Sequence, residues 1–424
     1  MRLRTLAASL ALVFAIAPGC GGAGKQPTTK KSDPLVQNPT DPSVPIARRT
    51  AVDPKPINDT VKKGLAWLAS HQLDNGSWGQ GDEAGGMRGS QNNAGANVAD
   101  SSMALIAFLR SGSTPRGGEY ANIVQKGLDY VMAEIEASDD KSLFVTAVRN
   151  TRVQSKIGQY ADTFAALMLL TEARGTGKDG VANARIDAAL KKVVKKVESN
   201  QRENGSWDDN GWAPVLSQAL AAKGLNRAAQ NGMDVSKRVL MRVEASARSG
   251  GVSGKGSAGV MLYGAAADSS SIRDDAATKR SNAENMKAKA AKHFAPKELQ
   301  SPDIPTKAEI DAAEKEAKQA EAAAIDNERA LVTRFQDKQF VAGFGNNGGE
   351  EFLSYLLISE TMVQKGGDEW IKWDTAIAGL VGKVQNEDGS WTGHHCITGR
   401  TFCTAAALLV LMGDRTPATA VIAT

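Results

Sequence analysis

Aromatic side chains make up only 5% of this 424-residue sequence, which holds just three cysteines and four histidines. Charge of one sign is also scarce: 51 lysines and arginines stand against 47 acids, a formal net charge of +4. The basic residues are interspersed with acids and do not interleave with aromatics, which excludes a nucleic-acid surface, whose footprint is a concentrated basic stripe. The apolar run near the start, Leu6 to Ala17, is too short to cross a bilayer as a lasting helix. From Gly21 to Pro56 bulky apolar residues nearly vanish among Pro, Thr, Lys and Asp, so this stretch buries too little surface to offset the entropy of ordering and reads as a tether.

What is present begins with a leader. Arg2 and Arg4, the apolar run and then Pro18-Gly19-Cys20 follow the order of a secretory signal. Small residues at Ala17 and Gly19 before Cys20 resemble the lipobox of bacterial lipoproteins, from which Pro18 and an alanine in place of the usual leucine depart. The resemblance implies acylation at Cys20, a membrane partner reached through an N-terminal lipid anchor, and a place in the cell envelope. The absence of Asp after Cys20 points to the outer membrane. The expected organisation is a leader over 1–20, a tether over 21–56, a main domain over 57–413 and a tail over 414–424.

Internal repeats decide the fold of the main domain. Gln72-Leu73-Asp74-Asn75-Gly76-Ser77-Trp78 recurs as Gln201-Arg202-Glu203-Asn204-Gly205-Ser206-Trp207 and as Gln385-Asn386-Glu387-Asp388-Gly389-Ser390-Trp391. With only seven tryptophans in the chain, three such copies are not chance. Each comes after apolar residues at helical spacing: Val61, Leu65 and Leu68; Val193, Val194 and Val197; Ile377, Leu380, Val381 and Val384. The implied unit is helix, turn, helix. Glycine supplies positive φ to end the first helix, serine caps the next, the indole covers the exposed end, and the Gln amide bonds free backbone groups of a neighbouring terminus.

The pattern Gln-x3-Gly-Ser-Trp resembles the QW repeat of squalene-hopene and oxidosqualene cyclases and of their relatives the protein prenyltransferases. The resemblance covers residues 57–413 with a gap in the middle. It implies an all-α fold, an (α/α) toroid with a ring of outer helices around a ring of inner ones. Candidate inner helices share a small-residue step: Asp100 to Leu105, Asp162 to Leu167, Val215 to Leu220 and Cys403 to Leu408. Residues 249–340 break the pattern. Gly250 to Gly259 reads as a loop, and Asn282 to Arg334 is dominated by Ala, Lys and Glu around Pro302 and Pro305, so the stretch is expected to be a charged helical insertion.

Four acids are candidate catalytic groups. Asp100 and Asp162 lie at inner-helix N-termini, where the helix dipole favours acids, and Glu350 and Glu351 precede another apolar helix. Each reads either as a general acid or metal ligand, or as an N-cap. His394, His395, Cys396 and Cys403 gather half the histidines and both cysteines beyond Cys20. They read as ligands for zinc, as a Cys396–Cys403 disulfide, or as free thiols. The resemblance adds that prenyltransferases hold zinc with an Asp, a Cys and a His beside a toroid cavity, and Cys403 resembles that cysteine. The family's Asp two residues earlier is Thr401 here.

Other activities on this fold lack their signatures. Asp139-Asp140 and Asp208-Asp209 do not complete the Asp-x-Asp-Asp of protonating cyclases, and the few aromatics leave carbocations unsupported. No Asp-rich site for magnesium diphosphate and no Cys-Gly-Glu-Gln thioester stretch occurs. Gly343 to Gly348 spells a dinucleotide loop but neither follows a strand nor opens a βαβ unit. The expectation is a lipid-anchored toroid presenting a central cleft to a peptide, glycan or apolar ligand. The rivals are a metal-dependent enzyme, and a lyase or hydrolase whose Asp100, Asp162 and Glu350 converge on one cleft.

Overall fold

The structure, a computed structural model, describes residues 50–81, 95–208, 210–250, 257–292, 304–345, 348–394 and 396–418. Cys20, the leader and most of the tether therefore lie outside the described residues, as do Asp209 and His395. Among the described residues there is no strand, only isolated bridges between Thr50 and Pro417, Trp78 and Asn97, and Thr114 and Gly117. None of their helices is long and apolar enough to cross a membrane.

The helices sort into two kinds by how much of their surface is apolar. Six form an inner set: α2 (Val98–Arg110), α5 (Ala161–Ala173), α7 (Pro214–Gln230), α9 (Ala258–Lys292), α12 (Gly349–Lys365) and α14 (Arg400–Leu411). α2 and α5 are buried on every side, as expected of sequences apolar all round. In chain order each inner helix packs on the next, and α14 packs back on α2, so the contacts form a closed circuit. The outer set is α1 (Asp59–Ser70), α3 (Ala121–Ala137), α6 (Gly180–Ser199), α8 (Lys237–Gly250), α10 (Lys307–Arg334) and α13 (Gly367–Lys383), with short α4 (Arg152–Ile157) and α11 (Lys338–Val341) as connectors. Outer helices bury one stripe. In α1 this is Val61, Leu65 and Leu68, while Lys62 and Lys63 face water.

The three sequence repeats make one set of bonds three times. The Gln72 amide donates to Gly76 O at 2.8 Å and to Ile123 O of α3 at 2.9 Å. Gln201 does the same with Gly205 O and Val239 O of α8, both at 3.2 Å, and Gln385 with Gly389 O and Thr60 O of α1, both at 2.9 Å. Each indole N–H donates to a carbonyl in the last turn of the preceding outer helix: Leu68, Val197 and Val381. Gly76, Gly205 and Gly389 have φ of +87°, +85° and +93°, and a Cβ on any of them would run into a backbone carbonyl of the next outer helix. The repeat is therefore a clasp between successive outer helices, and the third copy clasps α13 to α1 and closes the circuit.

Two expectations change in detail. The glycine does not end the first helix, since α1 stops at Ser70 with His71 as its cap. Nor does the serine cap the helix after the turn: Ser77, Ser206 and Ser390 donate to Asn75, Asn204 and Asp388 within the turn itself.

The segment 249–340 is not a separate insertion. α9 packs on both α7 and α12 and α10 packs along α9, so the segment supplies one inner and one outer helix of the circuit. Its sequence looked foreign because α9 buries small and polar residues: Ala265, Ala266, Ser269, Ser270, Asp274 and Ala276. The segments just before α1 and just after α14 also join the fold. The Lys55 amide donates to Asp414 at 2.7 Å, Arg415 donates to Lys55 O at 2.7 Å, and Lys55 pairs with Asp374.

Candidate functional site

The inner circuit has two ends. At the C-terminal end, five of its six helices contribute charge to one buried network: Arg110 of α2, Glu172 of α5, Lys223 and Arg227 of α7, Asp274 of α9 and Glu360 of α12. Arg110 reaches Glu172 at 2.7 Å and also pairs with Glu360; Arg227 reaches Glu172 at 2.7 Å and Glu360 at 2.9 Å; Lys223 reaches Asp274 at 2.7 Å and Glu360 at 2.8 Å. Burial alone would raise the Glu360 pKa, but Arg227, Lys223 and Arg110 outweigh it and hold the carboxyl well below its usual range. Three cations face three anions in this network, so their formal charges cancel.

None of these six residues was singled out in the sequence, yet a signal was available. Arg110, Glu172 and Glu360 each stand ten positions after an acid already noted, Asp100, Asp162 and Glu350 (110 − 100, 172 − 162, 360 − 350). Ten residues advance a helix by about 15 Å, so an acid at the start and a charge near the end of one apolar helix mark the two ends of the inner circuit.

At the N-terminal end Asp162, Asp100 and Glu350 each bond a different neighbouring backbone or side-chain group. Asp162 Oδ1 accepts from Ala99 N in the first turn of α2 at 2.9 Å, and Oδ2 accepts from Gln154 at 2.7 Å. Asp100 Oδ2 accepts from Asn97 at 2.6 Å, the Phe402 backbone amide in α14 acts on the same carboxyl, and Oδ1 has no hydrogen-bond partner. Burial, reinforced by Asp162, pushes Asp100 up to about 7, and burial raises Asp162 as well. Glu350 Oε2 accepts from Ile397 N at 3.0 Å, the Cys396 thiol also bears on the carboxyl, and burial raises its pKa. Glu351 belongs to a different cluster, with the Tyr355 hydroxyl and the Gly345 amide.

The cysteines are free. Cys403 is fully buried and points its thiol at Ile397 O, 3.4 Å away, with Glu350 and Asp100 both close enough to raise its pKa beyond the effect of burial. Cys396 is half-buried with φ +61°, and burial with Glu350 beside it pushes its thiol up to about 11. His394 is exposed. No group of three His, Cys, Asp or Glu side chains that could hold a metal exists among the described residues, which overturns the expectation of zinc at His394, His395, Cys396 and Cys403.

The same end carries an exposed indole. Trp212 is 61% exposed whereas the other six tryptophans are at most 6% exposed, so its exposure is particular to its place. Val215, one helical turn on, is 42% exposed. The backbone beneath them is fixed: Trp212 N and Ala213 N both donate to Lys156 O at 2.8 Å. Gly211 (φ +104°) lies so close to the Gly158 amide and the Lys156 carbonyl that a Cβ would stand 3.0 Å from each. The charge of the Lys156 side chain reaches Glu350 and Cys396.

No family model and no curated protein matches this chain.

Proposed function

We propose that the chain is an α/α toroid of the QW-repeat kind, held at the cell envelope by acylation of Cys20, and that it works as a binding module. Its ligand seats on the N-terminal face of the inner helices, beside the starts of α5 and α7. The observation that carries this reading is Trp212, a large indole held in water by a rigid backbone junction. Leaving that much apolar surface hydrated forgoes about 2 kcal/mol of burial, which is retained where a ligand covers it. The acids favour the same reading, because Asp162 and Glu350 are engaged with backbone amides of neighbouring elements.

The test is a photo-crosslinking amino acid at position 212, with position 371 as control, since Ile371 of α13 is 60% exposed elsewhere on the molecule. Adducts from 212 alone are expected in cells making the full chain, and equal labelling from both positions would sink the reading. Anchoring is read separately by metabolic labelling with an alkyne fatty acid, which Cys20→Ser should abolish.

One observation favours a second reading, a carboxylate-based hydrolase or lyase: Asp100 is raised to about 7 and keeps Oδ1 unpartnered. Against it, Asp100, Asp162 and Glu350 are 0–2% exposed, so no substrate atom reaches them without the inner helices parting. Turnover of a defined substrate that is abolished by Asp100→Asn, with the fold intact, would replace the binding reading with this one.

A further inference from the structure

We propose a second binding site, on the outer surface of the ring: the groove between α8 and α10 takes a linear aliphatic polyamine, with one ammonium on Asp268 and the methylene chain along α9. The proposal does not rest on the binding reading at Trp212. The three repeats clasp α1 to α3, α6 to α8 and α13 to α1, so no such clasp draws α8 and α10 together. The groove between them has a volume of about 380 Å³ and is lined by Ala247 of α8, Asp268 and Ile272 of α9, and Ala323 and Asp326 of α10. Asp268 is the odd charge in its stretch of α9. Arg273 pairs with Glu328, Asp274 with Lys223, and Asp275 with Lys279, which also meets Glu244. Asp268 is half-buried, and no described residue gives it a hydrogen bond or an ion pair. The cation that acts on it is Arg334, whose guanidinium lies over the Phe340 ring at 5.9 Å. The carboxylate has thus lost part of its hydration without gaining a partner, a cost that a bound cation offsets.

The walls decide which kind of cation fits. A metal ion needs several oxygen donors around it, and no group of three His, Cys, Asp or Glu side chains that could hold one exists among the described residues. Ala247, Ile272 and Ala323 make the walls aliphatic, which suits methylene groups better than a hydrated ion. An ammonium brings three donors to a carboxylate that accepts no hydrogen bond from the described residues. At the rim, exposed Asp326 pairs with Arg329 of its own helix at 3.2 Å, a weak surface pair, so a second ammonium on the same chain has an acid to meet. Arg248, the cation on the α8 wall, is held by Glu244 at 2.9 Å. An anionic ligand would face Asp268 directly, and a neutral apolar one would bury that carboxylate further without a partner. A protein partner would need about 800 Å² of complementary surface on each side, far more than this groove presents.

The test is calorimetric titration of the full chain in neutral detergent at low salt, with spermidine, magnesium ions and a tetralysine peptide as probes. The expected result is a single spermidine site that equimolar magnesium does not empty. Asp268→Asn keeps the shape of the side chain and should weaken spermidine about tenfold. Ala323→Leu fills the groove, leaves the charge in place, and should weaken it as well. Burial lifts the Asp268 carboxyl to about 6, with Arg334 opposing, so it is mostly neutral at pH 5 and ionised at pH 8. The ammonium groups stay charged throughout, so affinity should fall about tenfold from pH 8 to pH 5. Whatever binding remains in Asp268→Asn should lack that dependence, which a merely structural role for Asp268 would not produce. No spermidine binding, binding untouched by Asp268→Asn, or displacement by equimolar magnesium would overturn the proposal. Tetralysine binding through Asp268 in the absence of spermidine binding would overturn it too, and would give the groove to a lysine side chain of a polypeptide.

Discussion

Replacing Asp100 with Asn should make the protein's stability less dependent on pH. The carboxyl has a pKa of about 7 in the fold against 3.8 as its ordinary value, because burial, reinforced by Asp162, disfavours its charged form. The native state therefore holds this proton more tightly than the unfolded chain does. The resulting stabilisation is complete below pH 4 and is lost as pH rises through 7. Roughly three pKa units at 1.36 kcal/mol each give a loss of about 4 kcal/mol between those limits. Asn cannot ionise and keeps the shape, so the variant lacks this loss while Asp162 continues to titrate in both proteins. Urea unfolding followed by tryptophan fluorescence should show the variant gaining on the wild type from pH 4 to pH 8. Parallel curves, or a variant that loses ground to the wild type as pH rises from 4 to 8, would refute the assignment of a neutral buried carboxyl at the α2–α14 seam.

Glu360→Leu should cost about 3–5 kcal/mol in urea denaturation, since it strands Arg110, Lys223 and Arg227 in a dry interior with too few acids; a neutral outcome would mean that water reaches the network. Gly389→Ala forces a side chain to φ +93° and against the Lys63 carbonyl, so a loss of at least about 2 kcal/mol is expected, visible as a lowered thermal midpoint. The thiols should separate in a titration with an aromatic disulfide reagent. Cys396 should react slowly in the folded protein, faster as pH rises toward 11, and Cys403 only after unfolding. Stoichiometric zinc in the purified protein, lost with Cys403→Ser, would contradict the absence of a metal cluster among the described residues.

The outer clasps were legible in the sequence because each needs rare residue types at fixed spacing. Gly at positive φ, Trp reaching back to the last turn and Gln spanning two carbonyls tolerate few substitutes, so three copies stand out from any background. The starts of α2, α5, α7 and α14 were legible from small residues at helix contacts. α9 escaped for a physical reason: Asp274 answers Lys223 at 2.7 Å and Thr278 answers Asn226 at 2.7 Å, so burial there is satisfied by pairing and leaves no apolar periodicity. The acids were found but their bonding was not, since a cap on the next helix looks the same in sequence as a cap on its own. The cysteine–histidine cluster misled because closeness along the chain is not convergence in space: Cys403 turns into the core while His394 faces water.

The seam between the first and last helices of the circuit carries more of the architecture than any single repeat. A row of stacked helical hairpins that stays open leaves an apolar face uncovered at each end and needs polar capping units there. Here α14 packs on α2 and both faces disappear into one contact. Bonds cross that seam at three levels. Gln385 ties α13 to Thr60 at the rim, Phe402 and Asp100 face each other between α14 and α2, and Asp414 receives the Lys55 amide across the outside. Loss of the seam would expose two apolar faces at once, whereas a break between two middle hairpins leaves the chain itself to hold them together. Trp212 stands at the start of α7, whose inner neighbours are α5 and α9, and so lies away from the α14–α2 seam.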